Sequence, residues 1–319
     1  MRPINKMQCE VCLNSEHNSI HKAREMMFGL REEFNYLECT QCGCIQLIDV
    51  PHDMSKYYPS DYYSFGDAGT EQFSLLRKFL RRQRLSYCLY GKNLLGRVLA
   101  ERVGIPPHYS WLKGGHVSFD SQILDVGCGT GSFLNSLSAD GFTNLTGADP
   151  FIDKDLFYEN GVTIWKKTLP EINQQFDFVL MNHAFEHMAE PLAVLRDVQR
   201  VLKPGRYAMI RIPIASSYAW RTYGVNWVQL DPPRHLFLHT MKSMSFLAKK
   251  AGLEVKDVFY DSGTLQFTGS ERYLKNISLR DDSGNTLFSE DELADFHKQA
   301  DKLNQEKQGD QAGFYLYKQ

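Results

Sequence analysis

The stretch Gln122–Leu134, QILDVGCGTGSFL, decides how this chain is read. Ile123 and Leu124 run into Asp125, and glycines then recur at alternate positions, Gly127, Gly129 and Gly131. A buried strand that breaks sharply ahead of a helix has this form, and glycine is required where the backbone takes positive φ or lies close against a ligand. Spacing narrows the ligand. A dinucleotide fingerprint needs its third glycine at position 132, which is Ser132, and the Gly-Lys-Ser/Thr ending of a phosphate-cradling loop is absent. Downstream, LTGADP sets Asp149 at the end of a second strand, eighteen residues after Gly131. A carboxylate there can accept two hydroxyl hydrogen bonds, and Asp125 can orient the loop or meet a cationic group. The pattern fits a ligand with ribose hydroxyls and no phosphate.

Working outward, 319 residues exceed the usual span of one compact domain, so a large domain with a smaller appendage is expected. A hydrophobic fraction of 43% and a charged fraction of 23% are those of a globular chain, and a net charge of −2 gives no global field for nucleic acid. The opening MRPINKMQCEVC has no apolar run of signal-peptide length, and no stretch approaches the roughly 18 apolar residues of a membrane span. These features read as a cytoplasmic protein whose seven cysteines are reduced thiols or metal ligands.

Cys9-x-x-Cys12 and Cys39-x-x-Cys42 share one spacing, the arrangement in which two turns each offer two thiolates to a tetrahedral ion. Four cysteines close the coordination sphere, so a zinc there is structural and supplies folding energy to segments too short to bury a core. Cys44 is left out of the set. The aromatic run YYPSDYYSF, residues 57–65, is either a ligand wall or packing. Next, LLRKFLRRQRLSYCLYGKNLLGRVLAERVG has helical periodicity with Arg77, Lys78, Arg81, Arg82 and Arg84 at its start. It reads as one or two helices whose basic face is solvated, lies on an anionic membrane as a peripheral contact, or holds a phosphorylated ligand. The domains expected are a zinc module with the tyrosine-rich segment (1–66), a helical linker or lid (67–117) and a main domain (118–319).

S-adenosylmethionine has the ligand features deduced above, and ILDVGCGTGSFL with LTGADP resembles the first motif and second-strand acid of class I S-adenosylmethionine-dependent methyltransferases. FDFVLMNHAFEHM, PLAVLRDVQRVLKPG, RYAMIRIPI, LEVKDVFYDS and AGFYLYK keep the same order of strands and helices. The resemblance implies an α/β, Rossmann-like fold with a doubly wound, mostly parallel seven-stranded sheet. It also implies a cofactor site built from Asp125, Gly127, Cys128, Gly129, Gly131, Asp149, Pro150 and Asn182.

Methyl transfer to a hydroxyl or carbon acid needs a base near the methyl group. His183 and His187 follow the fourth strand, and Asp231, His235 and His239 lie in WVQLDPPRHLFLHT. The DPPR sequence sits too late in the chain to be the loop that methylates exocyclic amines of nucleobases, and Arg234 replaces its aromatic residue. Taken with the cysteine pairs, EHM, RHLFLHT and GSERYLKNISL resemble bacterial methyltransferases of sugar and polysaccharide pathways that carry an N-terminal four-cysteine zinc module. That resemblance implies His235 as the base, with His183 and His187 as the other candidates, and Tyr58, Tyr62 and Tyr63 as acceptor contacts. Arg234 would pair with a phosphate on the acceptor. The expected activity is O-methylation of a sugar hydroxyl in a glycan, lipid-linked glycan or nucleotide sugar. The alternatives are C-methylation of a nucleotide-linked keto sugar, methylation of an RNA base, and a noncatalytic binding protein on the same scaffold. An RNA enzyme would show a basic face continuous with the zinc module, where residues 14–38 balance acids and bases; a binding protein would show a damaged cofactor loop, where this one is intact.

Overall fold

The computed structural model describes residues 7–58, 73–281 and 287–319; Tyr62 and Tyr63 lie outside these residues. Near the N-terminus β1 (Ser19–Arg24), β2 (Glu33–Glu38) and β3 (Ile45–Leu47) form an antiparallel sheet. The basic leucine-rich stretch is two helices, α1 (Leu75–Tyr90) and α2 (Leu94–Val103). Gly91 at φ +68° stops the first, and the Asn93 side chain accepts a hydrogen bond from Gly96 N to start the second. A short α3 (Pro107–Gly114) delivers the chain to β4 (Ile123–Val126).

The main domain then runs through α4 (Ser132–Asp140), β5 (Leu145–Ala148), β6 (Leu156–Phe157), β7 (Thr163–Trp165), β8 (Phe176–Asn182) and α5 (Pro191–Val201). It continues with β9 (Leu202–Pro213), α6 (Tyr218–Tyr223), β10 (Phe237–Leu238), α7 (Met241–Lys250), β11 (Glu254–Tyr260), α8 (Leu265–Leu274), α9 (Glu290–Gln305) and β12 (Gln311–Tyr317). Among the described residues the large sheet has the order β11-β12-β9-β8-β4-β5-β7-β6. Pairing is parallel from β9 through β8, β4 and β5 to β7, and antiparallel where β12 and β6 join.

The sheet therefore has eight strands where seven were expected. The added strand is β6, two residues paired antiparallel to the edge strand β7. Asn160-Gly161 makes the hairpin, with Gly161 at φ +87°, a turn chemistry present in the sequence and passed over. A second difference is at α5, which ends at Val201 rather than at Pro204-Gly205. Leu202 already pairs with Phe176, and the register shift between Phe176 and Phe178 absorbs the Pro-Gly kink inside β9.

Strand alternation distributes the core over both faces of the sheet. Val179 and Met181 of β8 join one buried cluster while Phe178 and Leu180 join the other. The N-terminal sheet is not a separate body: β10 adds to it as a fourth strand, with Phe237 opposite Gln46 and Leu238 opposite Ile45. One apolar cluster contains both Cys9, Tyr36 and Leu37 of the module and Ile210, Trp227 and Leu236 of the main domain.

Candidate active site

The glycine loop leaves β4 at its carboxyl end, the edge of a doubly wound sheet where ligands bind. Gly127, Gly129 and Gly131 have φ of +76°, +55° and +86°, which a side chain would strain. A Cβ on Gly127 would stand 2.6 Å from the Ala184 Cβ, so the loop packs directly on the turn that follows β8. Asp149 fixes the far side of the loop: its Oδ2 accepts Gly129 N at 2.9 Å and its Oδ1 accepts Phe151 N at 2.9 Å. Each oxygen keeps a second lone pair for a ligand hydroxyl. Asp125, on the neighbouring strand, is buried; burial first and the Asp149 charge second push its carboxyl up to about 8. Two carboxyl groups in a low-dielectric crevice call for a cationic partner. Cys128 is half-buried, its sulfur in the space a Cβ on Gly147 would need, while Pro150 is exposed. Phe151, missed by sequence reasoning, is 78% exposed beside Asp149, a bare aromatic ring at the rim.

Beyond Asn182 at the end of β8, the next turn gathers four ionisable side chains. Asn182 Oδ1 accepts from Arg211 Nη1 at 3.0 Å, and the same nitrogen donates to His183 Nε2 at 2.8 Å. The His183 proton therefore sits on Nδ1, 3.2 Å from Glu186 Oε1. Both His183 nitrogens are engaged, and its φ of +52° aims the ring into this network. Arg211 itself is held by Asp261 at 2.8 Å.

Among the described residues, His187 and His235 differ from His183 in having a hydrogen-bond partner at one nitrogen only. His187 Nδ1 donates to the Arg234 carbonyl at 2.8 Å and His235 Nδ1 donates to the Gln229 carbonyl at 2.7 Å. The rings meet edge to face with centroids 4.8 Å apart. His235 Nε2 lies 4.0 Å from Glu186 Oε1 and 3.9 Å from Asp231 Oδ2. Burial and the neighbouring His187 lower its pKa to about 4, against the pull of the two carboxylates, so the ring is neutral at pH 7 with a lone pair on Nε2. Glu186 is fully buried, yet its pKa falls to about 2: burial would raise it, and the His183 hydrogen bond with the nearby histidines more than offsets that. Its Oε2 has no hydrogen-bond partner among the described residues. Ligand atoms of Glu186, His187 and His235 lie within 4.8 Å of one another, so the cluster can take up a proton or a cation.

The remaining residues expected at the site divide. Tyr58 is present, with Oη 3.4 Å from His187 Nδ1. Arg234 is fully buried, with Nε on Asp231 at 2.8 Å, Nη2 on Glu25 at 3.0 Å and Nη1 on the Tyr57 carbonyl at 3.3 Å. Its guanidinium faces these groups and not an acceptor phosphate. His239 is fully buried between the Phe185 and Phe237 rings, at 5.1 and 5.8 Å. Glu186 and Arg211 were missed; the charged residue inside the apolar strand MIRIP was the available signal for Arg211.

The four N-terminal cysteines converge from two turns. Sγ–Sγ distances are 3.6 Å for Cys9–Cys42 and 3.4 Å for Cys12–Cys39, near the ~3.8 Å edge of a tetrahedron with metal–sulfur bonds of about 2.3 Å. The set fits one tetrahedral ion. Cys44 is buried apart from it, 3.8 Å from His239 Nδ1.

Among proteins of known identity, the ubiquinone biosynthesis O-methyltransferase of Pseudomonas aeruginosa is 28% identical over 172 residues, 48% of this chain and 73% of that one. Among solved structures, a SAM-dependent methyltransferase of Thermotoga maritima matches at TM-score 0.40 and 19% identity, over 76% of this chain and 94% of that one. One from Archaeoglobus fulgidus matches at TM-score 0.40 and 18% identity, over 67% and 100%. The family described as a methyltransferase domain matches residues 80–258, which hold the glycine loop, both acids and the histidine cluster. The chain belongs to that family and is an S-adenosylmethionine-dependent methyltransferase.

Proposed function

We propose that the enzyme methylates a hydroxyl oxygen of a small-molecule acceptor, with His235 as the base. The carrying observation is the neutral His235 ring, pinned through Nδ1 and open at Nε2, with Glu186 and Asp231 about 4 Å away. S-adenosylmethionine, when bound, supplies a methyl group on a positively charged sulfonium. Asp149 would hold the ribose hydroxyls, Asp125 would balance the positive charge, and Phe151 would cover the base. The acceptor hydroxyl would give its proton to His235 Nε2 as its oxygen takes the methyl, the electron pair of the broken C–S bond staying on sulfur as a neutral thioether, and Glu186 and Asp231 would stabilise the imidazolium formed. Tyr58 flanks the acceptor space beside His187. His183, bonded at both nitrogens, positions Glu186.

An oxygen acceptor is supported by relatives named as O-methyltransferases. The four-cysteine module and its resemblance to sugar-pathway enzymes favour a sugar hydroxyl, while the relatives named for ubiquinone biosynthesis favour an acceptor of that synthesis as the second reading. We assign zinc to the cysteine set, because thiolates are soft ligands and the geometry is tetrahedral.

Calorimetric titration with S-adenosylhomocysteine tests the cofactor site, and turnover on nucleotide sugars, glycans and ubiquinone precursors tests the acceptor. Micromolar binding that weakens at least tenfold in Asp149→Asn is expected. A folded protein that does not bind would overturn the reading, and turnover on a carbon acid alone would move it to C-methylation.

A further inference from the structure

We propose that the α1–α2 hairpin is a docking surface for anionic phospholipid membranes. Residues 73–113 carry nine Lys or Arg and a single acid, Glu101, which pairs with Arg97. The rest of the chain then holds 27 Lys and Arg against 37 Asp and Glu, so a positive layer sits on an acidic body. The same layer is apolar. Nine of the eighteen exposed large apolar side chains among the described residues lie between Leu75 and Ile105.

The arrangement along the helices is that of an interfacial surface. At 3.6 residues per turn, Leu75, Leu76 and Phe79 fall within about 100° of arc on α1, as do Leu94, Leu95, Val98 and Arg102 on α2. Leu75 and Leu94 are 85% and 83% exposed. Arg77 and Lys78 of α1, Lys92 of the turn and Arg102 of α2 are exposed on the same hairpin. Between the helices a cleft of about 210 Å³ sets Arg77, Arg81 and Arg84 beside Leu80, Leu99 and Val103, the charge and apolarity that a phospholipid headgroup and its chains complement.

Not every cation is free for this. Arg81 bonds Ser136 and Asp140 and Arg82 bonds Gly141, which ties α1 to the body by one side and leaves the leucine arcs outward. Bare leucines have no role in holding a nucleic acid, and a second copy docked face to face would set like charges together. No described helix is long and apolar enough to cross a membrane, so attachment would be peripheral. This inference does not rest on the acceptor assignment.

Co-sedimentation with phosphatidylglycerol–phosphatidylcholine vesicles and with phosphatidylcholine alone tests it, with no cofactor or acceptor present. The expected result is binding to the anionic vesicles only, weakened by salt, reduced about 25-fold in Arg77→Ala/Lys78→Ala at about fivefold per cation, and reduced at least tenfold in Leu75→Ser/Leu76→Ser. Both variants should keep wild-type thermal melting and S-adenosylhomocysteine affinity, which separates a lost surface from a lost fold. No binding at low salt, or binding that the variants leave unchanged, would overturn the proposal. A dimer dispersed by the leucine variant, or an RNA oligonucleotide that displaces the vesicles, would assign the face to that occupant instead.

Discussion

His235 and Asp125 carry opposite perturbations, each with a consequence that pH can read. Because His235 is held neutral, with a pKa of about 4, the acid limb of kcat/KM should fall near pH 4 and not near 6.5, so activity is level from pH 6 to 7. His235→Gln should lower kcat by about 10²–10⁴ while leaving S-adenosylhomocysteine affinity within a few-fold. A break near 6.5, or a variant with normal kcat, would move the proton to another group. Asp125 has its carboxyl raised from 3.8 to about 8 in the fold. A group raised on folding stabilises fully below its unfolded value, and that contribution is lost as pH climbs through the folded value. Asp125→Asn should therefore gain stability over the parent as pH rises from about 4 to about 8, by an amount on the order of a few kcal/mol. Thermal melting across that range, without cofactor, checks the slope. At Arg234 the expected effect of Ala is on folding: leaving Asp231 and Glu25 buried without their cation costs about 3–5 kcal/mol, measurable by denaturant unfolding.

At the scale of elements, the segment from Asp231 to Thr240 is held by the cysteine module as much as by its own domain. Tyr36 Oη donates to the His235 carbonyl at 2.9 Å, and Thr240 Oγ1 donates to the Cys42 carbonyl at 2.6 Å while capping α7. Thr240→Val removes the cap and the cross-link, each worth about 1 kcal/mol. It should lower kcat several-fold through the displaced His235, with cofactor affinity unchanged; single-turnover and binding measurements separate the two. This coupling explains what the sequence left illegible. The glycine turn after β4, the carboxylate at the end of β5 and the convergence of the cysteine pairs were readable because each is a local pattern with fixed spacing, whereas the strand order came through the resemblance and missed the short edge strand β6. The partnership of Glu186, His187 and His235 was not, since it depends on a loop about fifty residues on being pinned by Asp231 at φ +43° and by a strand pairing with β3. Arg234 was expected to meet a phosphate on the acceptor because Glu25, its partner in the fold, is 209 residues away.

The whole molecule should accordingly unfold as one unit. A small module attached by a linker would melt by itself, but here β10 completes the module's sheet, and a continuous apolar cluster runs from Cys9 and Leu37 to Ile210 and Trp227. Ligation of a tetrahedral ion by four thiolates is worth on the order of 10 kcal/mol in small zinc modules, comparable with the total stability of a domain. On the zinc assignment proposed above, removing the ion would free the two cysteine turns, and with them the support under Tyr36, Thr240 and His235. The expected outcome of calorimetry is a single transition in the metal-loaded protein, shifted down by ten degrees or more after chelation, on the order set by such a loss. Activity should fall together with that transition although the ion takes no part in the chemistry, and Cys39→Ser should reproduce both effects. Two transitions, with only the smaller one sensitive to chelator and methyl transfer intact, would show that the shared strand does not couple module and domain.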